Sequence, residues 1–479
     1  MSQNKNQKNT TTTRGIILLN IVIFGLIASA IVMAISGWFA VSYKSTRKVL
    51  EKEITFHIAE AGIDYYRWHL AHAPTDFTNG TGEAGPYVMD FNNKDGEKIG
   101  EFSLQITPPE NGSTMVIIES TGTYLAASST KTIRAKLAKP SFAKYAFAAN
   151  DDMRFGEGTE VFGPIHSNDG VRFDGLAHNV ISSALDTYDD PDHGGSLEWA
   201  VHTHVSPTDP LPPNAFQDRN DVFEAGRQVG TPAIDFDGIT ADISALKEKA
   251  QESEGLYFSD SGRQGYLVEL KSNGTFDLYR VNSLYSPSWW CSEPWWQEDW
   301  GTWSVRRTRS LGTYDFPENG VMFFEDDIWV EGVIDDARLT IVAARFPDSP
   351  ANRKSITVNN SLRYTNEDGT DAIALIAQKN INTGLYSEDN LEIDAALVAQ
   401  KGRVGRFYYE SGCSPYDDRN QLDLYGMIAT NERYGFAYTD NSGYETRNIT
   451  YDANLLYGPP PEFPLTSDQY EIVSWEEIN

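Results

Sequence analysis

The stretch from Ile16 to Val41 constrains this chain more than any other feature. It is interrupted only by Asn20, Ser29, Ser36 and other small residues, and it holds no charge. At about 1.5 Å per helical residue, roughly 26 positions reach about 39 Å, enough to cross a hydrocarbon core of about 30 Å. A soluble helix apolar on every side needs cover on every side, and nothing before Pro74 could provide it. The segment therefore reads as a transmembrane helix.

Three fates are open to it: a cleaved signal, a plain anchor, or a leader that is trimmed while the helix is kept. Ala28-Ser29-Ala30 offers a signal-type cleavage motif, yet the apolar run continues through Ile31 to Phe39, beyond the roughly 7–15 residues of a signal core. Basic residues stand on both flanks, Lys5, Lys8 and Arg14 before and Lys44, Arg47, Lys48 and Lys52 after, so they set no orientation. The turn-rich remainder carries most of a net charge of -29 and suits an exterior solvent. The same acidity argues against nucleic acid as a partner, because phosphate binding needs a basic face. Two cysteines, Cys291 and Cys413, exclude a disulfide framework; they form either one long-range disulfide or two independent buried thiols.

The helical pattern outlasts the membrane. Val49, Phe56, Ile63 and Leu70 recur every seventh residue, with Ala59 and Tyr66 in the same stripe, until Pro74 ends it. Short alternating runs follow between Tyr87 and Ala138, separated by Pro108-Pro109 and Asn111-Gly112, and predict a small antiparallel sheet packed on the protruding helix. Beyond Pro140 the rhythm becomes apolar-x-apolar with small corners, as in Met153 to Gly156, Val171 to Gly175, Ile328 to Ile334, Leu339 to Ala343, Ile373 to Ala377, Leu391 to Ala399 and Leu422 to Ala429. Repeated short strands of this kind fit a parallel β-helix, with an antiparallel sandwich as the alternative. Between Leu176 and Phe316 the rhythm lapses, leaving one short helix from Ile239 to Glu254.

The expected fold is α+β and mainly β: a long N-terminal transmembrane helix, a small antiparallel sheet, then a parallel β-helix solenoid with a large insertion. The segments are a basic leader (1–15), the transmembrane and protruding helix (16–74), the small β domain (75–139), first coils (140–175), the insertion (176–316), the main β-helix (317–450) and a closing segment (451–479).

Arg14-Gly15 leads directly into the apolar helix and resembles a type IV prepilin leader cut between Gly15 and Ile16. The family's usual Phe after the cut is Ile16 here, and its usual Glu at the fifth mature position is Asn20. That departure favours a tip or accessory role over the filament body. Phe56 to Ile63, with Ala59-Glu60-Ala61-Gly62, is similar to the Ala-Glu-Ala-Gly segment of PilX-like pilus-assembly proteins. Tyr451 to Tyr457, Pro459 to Pro464 and Ser474-Trp475-Glu476 resemble the close of large members of that group. The resemblance implies a membrane-anchored, surface-displayed protein with a structural or adhesive role, partnered by other pilin or pilus-assembly subunits.

Four constellations bear on chemistry. Asp186, Asp189, Asp190 and Asp192 form an oxygen-rich loop that would suit calcium or stand as a solvated acidic turn; no other cofactor is expected. His202 and His204 alternate, with His166, His178 and His193 not far in sequence, and a zinc site there needs further ligands brought in by folding. Asp326-Asp327 and Asp335-Asp336 are the carboxylate pairs that a membrane-tethered carbohydrate-active enzyme would use, but no nucleophile or metalloprotease signature accompanies them, so no catalytic residue is assigned. A bactofilin-like polymer is disfavoured, since it needs no long protruding helix. Trp289, Trp290, Trp295, Trp296, Trp300 and Trp303 crowd around Cys291, either as a local core or as a surface that stacks on polysaccharide or buries against a protein.

Overall fold

The computed structural model describes residues 12–109, 113–126, 130–440 and 442–478; leader residues 1–11 and the Asn111-Gly112 turn lie outside them. The chain divides into two compact units. One comprises Met1–Thr107, Ile117–Lys136 and Ser474–Asn479, and the other Pro108–Val116 with Leu137–Val473.

The smaller unit is built on helix α1 (Thr12–His72). Every described side chain from Ile17 to Leu50 is exposed, so the apolar run is uncovered by the rest of the protein. Among the described residues this is the one helix long and apolar enough to cross a membrane. Its second half behaves differently. Thr55, Ile58, Ala59, Ile63, Tyr66 and Leu70 are buried at helical spacing, whereas Val49, expected in the stripe, is exposed because the covering sheet reaches only as far as Thr55. Fully burying Ile58, Ile63 or Leu70 contributes roughly 1.5–3 kcal/mol each.

That sheet has the order β1 (Tyr87–Asn92), β2 (Lys98–Thr107), β3 (Val116–Tyr124), β4 (Thr130–Ala138) and the C-terminal strand Glu471–Ile478. β1 pairs with β2, and β2 with β3, antiparallel. The helix sits very close to it. A Cβ on Gly62 would lie 2.2 Å from Ser120 Oγ, and one on Gly122 would lie 2.3 Å from the Thr55 carbonyl oxygen and 2.6 Å from the Ala59 nitrogen. The Ala59-Glu60-Ala61-Gly62 segment thus has a packing explanation: small residues let the helix backbone touch the sheet. Glu471–Ile478 closes the edge, with Trp475 edge-on to Phe56 at 5.7 Å between ring centroids.

In the larger unit, parallel pairs form a continuous ladder. It runs from Leu256–Phe258 through Val321–Phe324, Arg338–Ala343, Ala372–Ala377 and Asn390–Ala399 to Asp418–Thr430. It then continues through Phe147–Ala149, Ile165–Ser167 and Ile181–Ser183 to Arg227–Gln228. The chain therefore enters this ladder in its middle, builds toward one end, and crosses to the other end by way of α2 (Ile239–Gln251). From there it builds back until Asp418–Thr430 meets Phe147–Ala149.

Both faces of the central strands are covered. In Ala372–Ala377, Ile373, Leu375 and Ala377 face one core, while Ala372, Ala374 and Ile376 face a second that holds Ile239, Ile243, Leu246 and Ala250 of α2. The small residues lie mainly on the side where the helix and the C-terminal residues Leu455 and Phe463 pack. Strands buried on both faces read as unbroken apolar runs, as these do.

Residues 176–316, expected as an insertion, do not stand outside the ladder. Ile181–Ser183, Leu256–Phe258 and Gly265–Lys271 all pair in parallel with strands before or after that segment. Several of these strands have two or three residues, too few to show alternation in sequence. The real excursion is narrower. Thr275–Leu284 and Val305–Asp315 extend antiparallel from Gly265–Lys271 and carry the tryptophan-rich segment as their connecting loop.

Candidate functional site

The loop between Leu284 and Val305 is fastened before it displays anything. The Tyr285 amide donates to the Ser304 carbonyl at 2.9 Å, and the Leu385 amide donates to the Thr302 carbonyl at 2.9 Å. Asn359 Nδ2 and Trp329 Nε1 both donate to the Trp303 carbonyl, at 2.6 and 2.9 Å. Gly384 is required there, since a Cβ would lie 2.5 Å from the Thr302 carbonyl oxygen.

Cys291 and Cys413 are joined in a disulfide across a sequence separation of 122. Leu385, Phe407 and Tyr409 bury with it, and Trp300 and Trp303 pack against them. Trp303 stacks on Phe407 with an interplanar angle of 9°, and Trp300 Nε1 donates to the Tyr408 carbonyl at 2.9 Å. Beneath this core lies Arg406, fully buried. Its guanidinium donates to the carbonyls of Gly384 at 2.7 Å and Tyr416 at 2.6 Å and to Ser387 Oγ at 2.7 Å, with no carboxylate among these partners. Burial pulls it below its usual pKa. The planar fork of donors lets one arginine tie the turn from Gly384 to Ser387 to Tyr416, where a lysine would reach fewer partners.

The six tryptophans therefore divide. Trp300 and Trp303 belong to the local core. Trp289, Trp290, Trp295 and Trp296 are 90%, 77%, 95% and 50% exposed. Among the described residues, Trp296 is the one of these four that rests on a neighbour ring, Tyr408, at 5.5 Å. Tyr408 in turn donates to Asp440 at 2.7 Å, which pushes its hydroxyl up to about 12. Exposed indoles on a loop braced at Cys291, Trp300 and Trp303 form an apolar surface whose loop, though not each ring, is ordered in advance.

The acidic loop is not gathered into one site. Asp186 and Asp189 are exposed. Asp192 pairs with Arg433 at 2.5 Å and with Arg154 at 3.4 Å, and the Arg433 hydrogen bond holds its carboxyl below the usual range. Asp190 alone turns inward, 2% exposed, toward His202 and His204. Glu198, which the sequence reading passed over, completes that cluster: the four ligand atoms lie within 4.8 Å of one another. The spacing Glu198, His202, His204 on an extended segment was the signal available. His166 and His178 lie elsewhere, on Ser182 and Asn168 and between Glu160 and Glu224 respectively.

The carboxylate pairs are committed to turns. Asp326 accepts from the Ser261 amide and hydroxyl and from Lys354 at 3.2 Å, and Asp327 accepts from the Ser355 amide at 2.8 Å. Burial raises the Asp327 pKa. Asp335 accepts from Asn366 at 3.1 Å, and Asp336 holds a left-handed turn at φ 49°.

No protein-family model matches this chain, and no curated protein matches it. Among solved structures, the crystal structure of the competence-associated pilin ComZ from Thermus thermophilus aligns with 90% of this chain and 98% of that chain, at 11% identity and a TM-score of 0.31. A score of that size does not equate the two folds.

Proposed function

We propose that this chain is a PilX-like, type IV pilus-associated minor pilin or assembly protein, anchored by one membrane-spanning helix and carrying an extracytoplasmic β-helix with an adhesive role. The carrying observation is the division of α1: wholly exposed apolar side chains from Ile17 to Val41, then a small-residue face seated on an antiparallel sheet. Such a helix must find lipid or the helices of other subunits to cover its first half. The leader at Arg14-Gly15 and the Ala59 to Gly62 segment agree with that reading. The parallel ladder, with both faces covered, supports a stacked β-helix over a sandwich.

The exposed indoles support adhesion to surface polysaccharide or protein, and no nucleic acid is expected. Binding rather than catalysis is favoured because Asp326, Asp327 and Asp335 are engaged in holding turns. Mass spectrometry of the native amino terminus tests the anchor: a start at Ile16 supports prepilin processing, while a start at Ile31 removes the retained helix and the proposal with it. Replacing Trp289, Trp290, Trp295 and Trp296 together by alanine should abolish attachment with membrane insertion intact. Undiminished attachment would move the adhesive role elsewhere.

A further inference from the structure

We propose that Asp190, Glu198, His202 and His204 bind a divalent transition-metal ion of the zinc type. Two local pairings and the alternation of the chain assemble the set. Thr187–Tyr188 pairs antiparallel with Glu198–Trp199, which returns Glu198 to the neighbourhood of Asp190. Val201–His202 then pairs in parallel with Val171–Phe173, fixing His202 in register with Arg172. Alternation along the extended chain carries His204 to the same side.

The chemistry is decided by which atoms face one another. His202 Nδ1 lies 3.1 Å from the Trp199 carbonyl oxygen. A carbonyl only accepts, so that nitrogen carries the proton and Nε2 presents its lone pair. That lone pair faces Glu198 Oε2 at 3.1 Å and Asp190 Oδ2 at 3.6 Å. Among the described residues, none of these three buried atoms has a hydrogen-bond partner. The residues are 2%, 5% and 2% exposed for Asp190, Glu198 and His202, so solvent does not relieve them. Among the described residues, the arginine paired with Asp190 is Arg172, 3.8 Å from Oδ2 and engaged with Asp174 at 2.7 Å.

Three acceptors converging in a buried site repel one another and forgo water unless a positive charge sits among them. A tetrahedral ion with bonds of about 2.0–2.2 Å places its donors about 3.3–3.6 Å apart. The separations of 3.1 and 3.6 Å from His202 Nε2 to Glu198 Oε2 and Asp190 Oδ2 fall on either side of that distance, and one ligand atom from each of the four residues lies within 4.8 Å of the others. Two imidazoles and two carboxylates suit zinc and its neighbours, whereas calcium takes six to eight oxygens. A backbone carbonyl on the far nitrogen of His202 is the usual orienting partner of a metal-binding histidine. The cluster opens on a cavity of about 310 Å³ bordered by His193, Thr208, Pro210 and Leu211, which provides a route of entry.

The test uses the full chain in detergent, stripped by chelation and titrated with Zn²⁺ or Ca²⁺ against a chromophoric competitor. One zinc per chain is expected, with His202→Gln, Glu198→Gln and the more exposed His204→Gln each weakening binding at least about tenfold. Cobalt substitution of the unaltered protein should give the intense visible bands of a tetrahedral nitrogen and oxygen site. Cobalt bands of a six-coordinate aquo-like ion would overturn the proposal, as would zinc affinity indifferent to His204→Gln or tighter binding of calcium. The cobalt spectrum decides the matter even where a variant fails to fold.

Discussion

The two units solve the problem of burying strands in opposite ways. In β2 and β3 every second residue is buried, and the helix that covers them comes so close that Gly62, Gly122 and Ala59 leave no room for larger side chains. In the larger unit Ala372–Ala377 is buried at all six positions, with large residues such as Leu375 on one face and alanines largely on the other. The first unit is sensitive to added bulk, the second to lost bulk. The difference follows from cover: one layer packs on β2 and β3, and a layer lies on each side of the ladder strands.

The strongest challenge to that contrast is Leu375→Ala, which should destabilise the larger unit by about 2–5 kcal/mol in denaturant unfolding. A loss below about 1 kcal/mol would mean that the ladder core is loosely filled. Next comes Gly122→Val, expected to cost about 1–3 kcal/mol or more because the new side chain meets backbone atoms of Thr55 and Ala59. Protease protection of α1 should fall while the ladder transition stays unchanged; equal loss in both units would erase the distinction.

A smaller effect is tied to pH. Burial raises the Asp394 carboxyl from 3.8 to about 6, against the amide hydrogen bond from Tyr364. Between those values the folded state holds the proton that the unfolded state has released, so stability falls as pH rises through the window and the penalty is complete above it. Asp394→Asn should therefore raise stability at pH 7 by about 1 kcal/mol, allowing for solvent screening, and flatten the profile between pH 3.8 and about 6. A profile unchanged by that substitution would place the titration in another group. Smallest in stability is Trp295→Ala, within about 0.5 kcal/mol because the ring is 95% exposed, while binding at the indole surface declines. A large stability loss would reassign that ring to the fold.

Much of this was legible in the chain. The apolar helix, its stop before Pro74, the strands between Tyr87 and Ala138 and those from Ile328 to Ala429 all announce themselves through period and turn residues, as does α2 from Ile239. The strands of two or three residues after Leu176 were invisible because alternation needs length. The order of the ladder was invisible for another reason: pairing Phe147 with Ile428 is a tertiary choice that no local pattern encodes. At the proposed metal cluster, His202 and His204 read as candidates for one ion and Asp190 for another; Glu198, which joins them, looks in sequence like any surface acid. Likewise the tryptophans were visible as a group, whereas their division into two half-buried anchors and four exposed rings depends on Phe407 and Tyr409, more than 100 positions away.

Entry of the chain into the middle of its ladder has a consequence for biogenesis. Phe147–Ala149 can dock Ile165–Ser167 almost as soon as both emerge, but its opposite edge waits for Thr430, and Asn150 meets Asn431 only across 281 positions. Through most of synthesis the nascent polypeptide carries an open strand edge, which invites mispairing. Maturation is thus a late, C-terminal event, and shortening the translation product from that end should yield aggregates in place of a smaller native body.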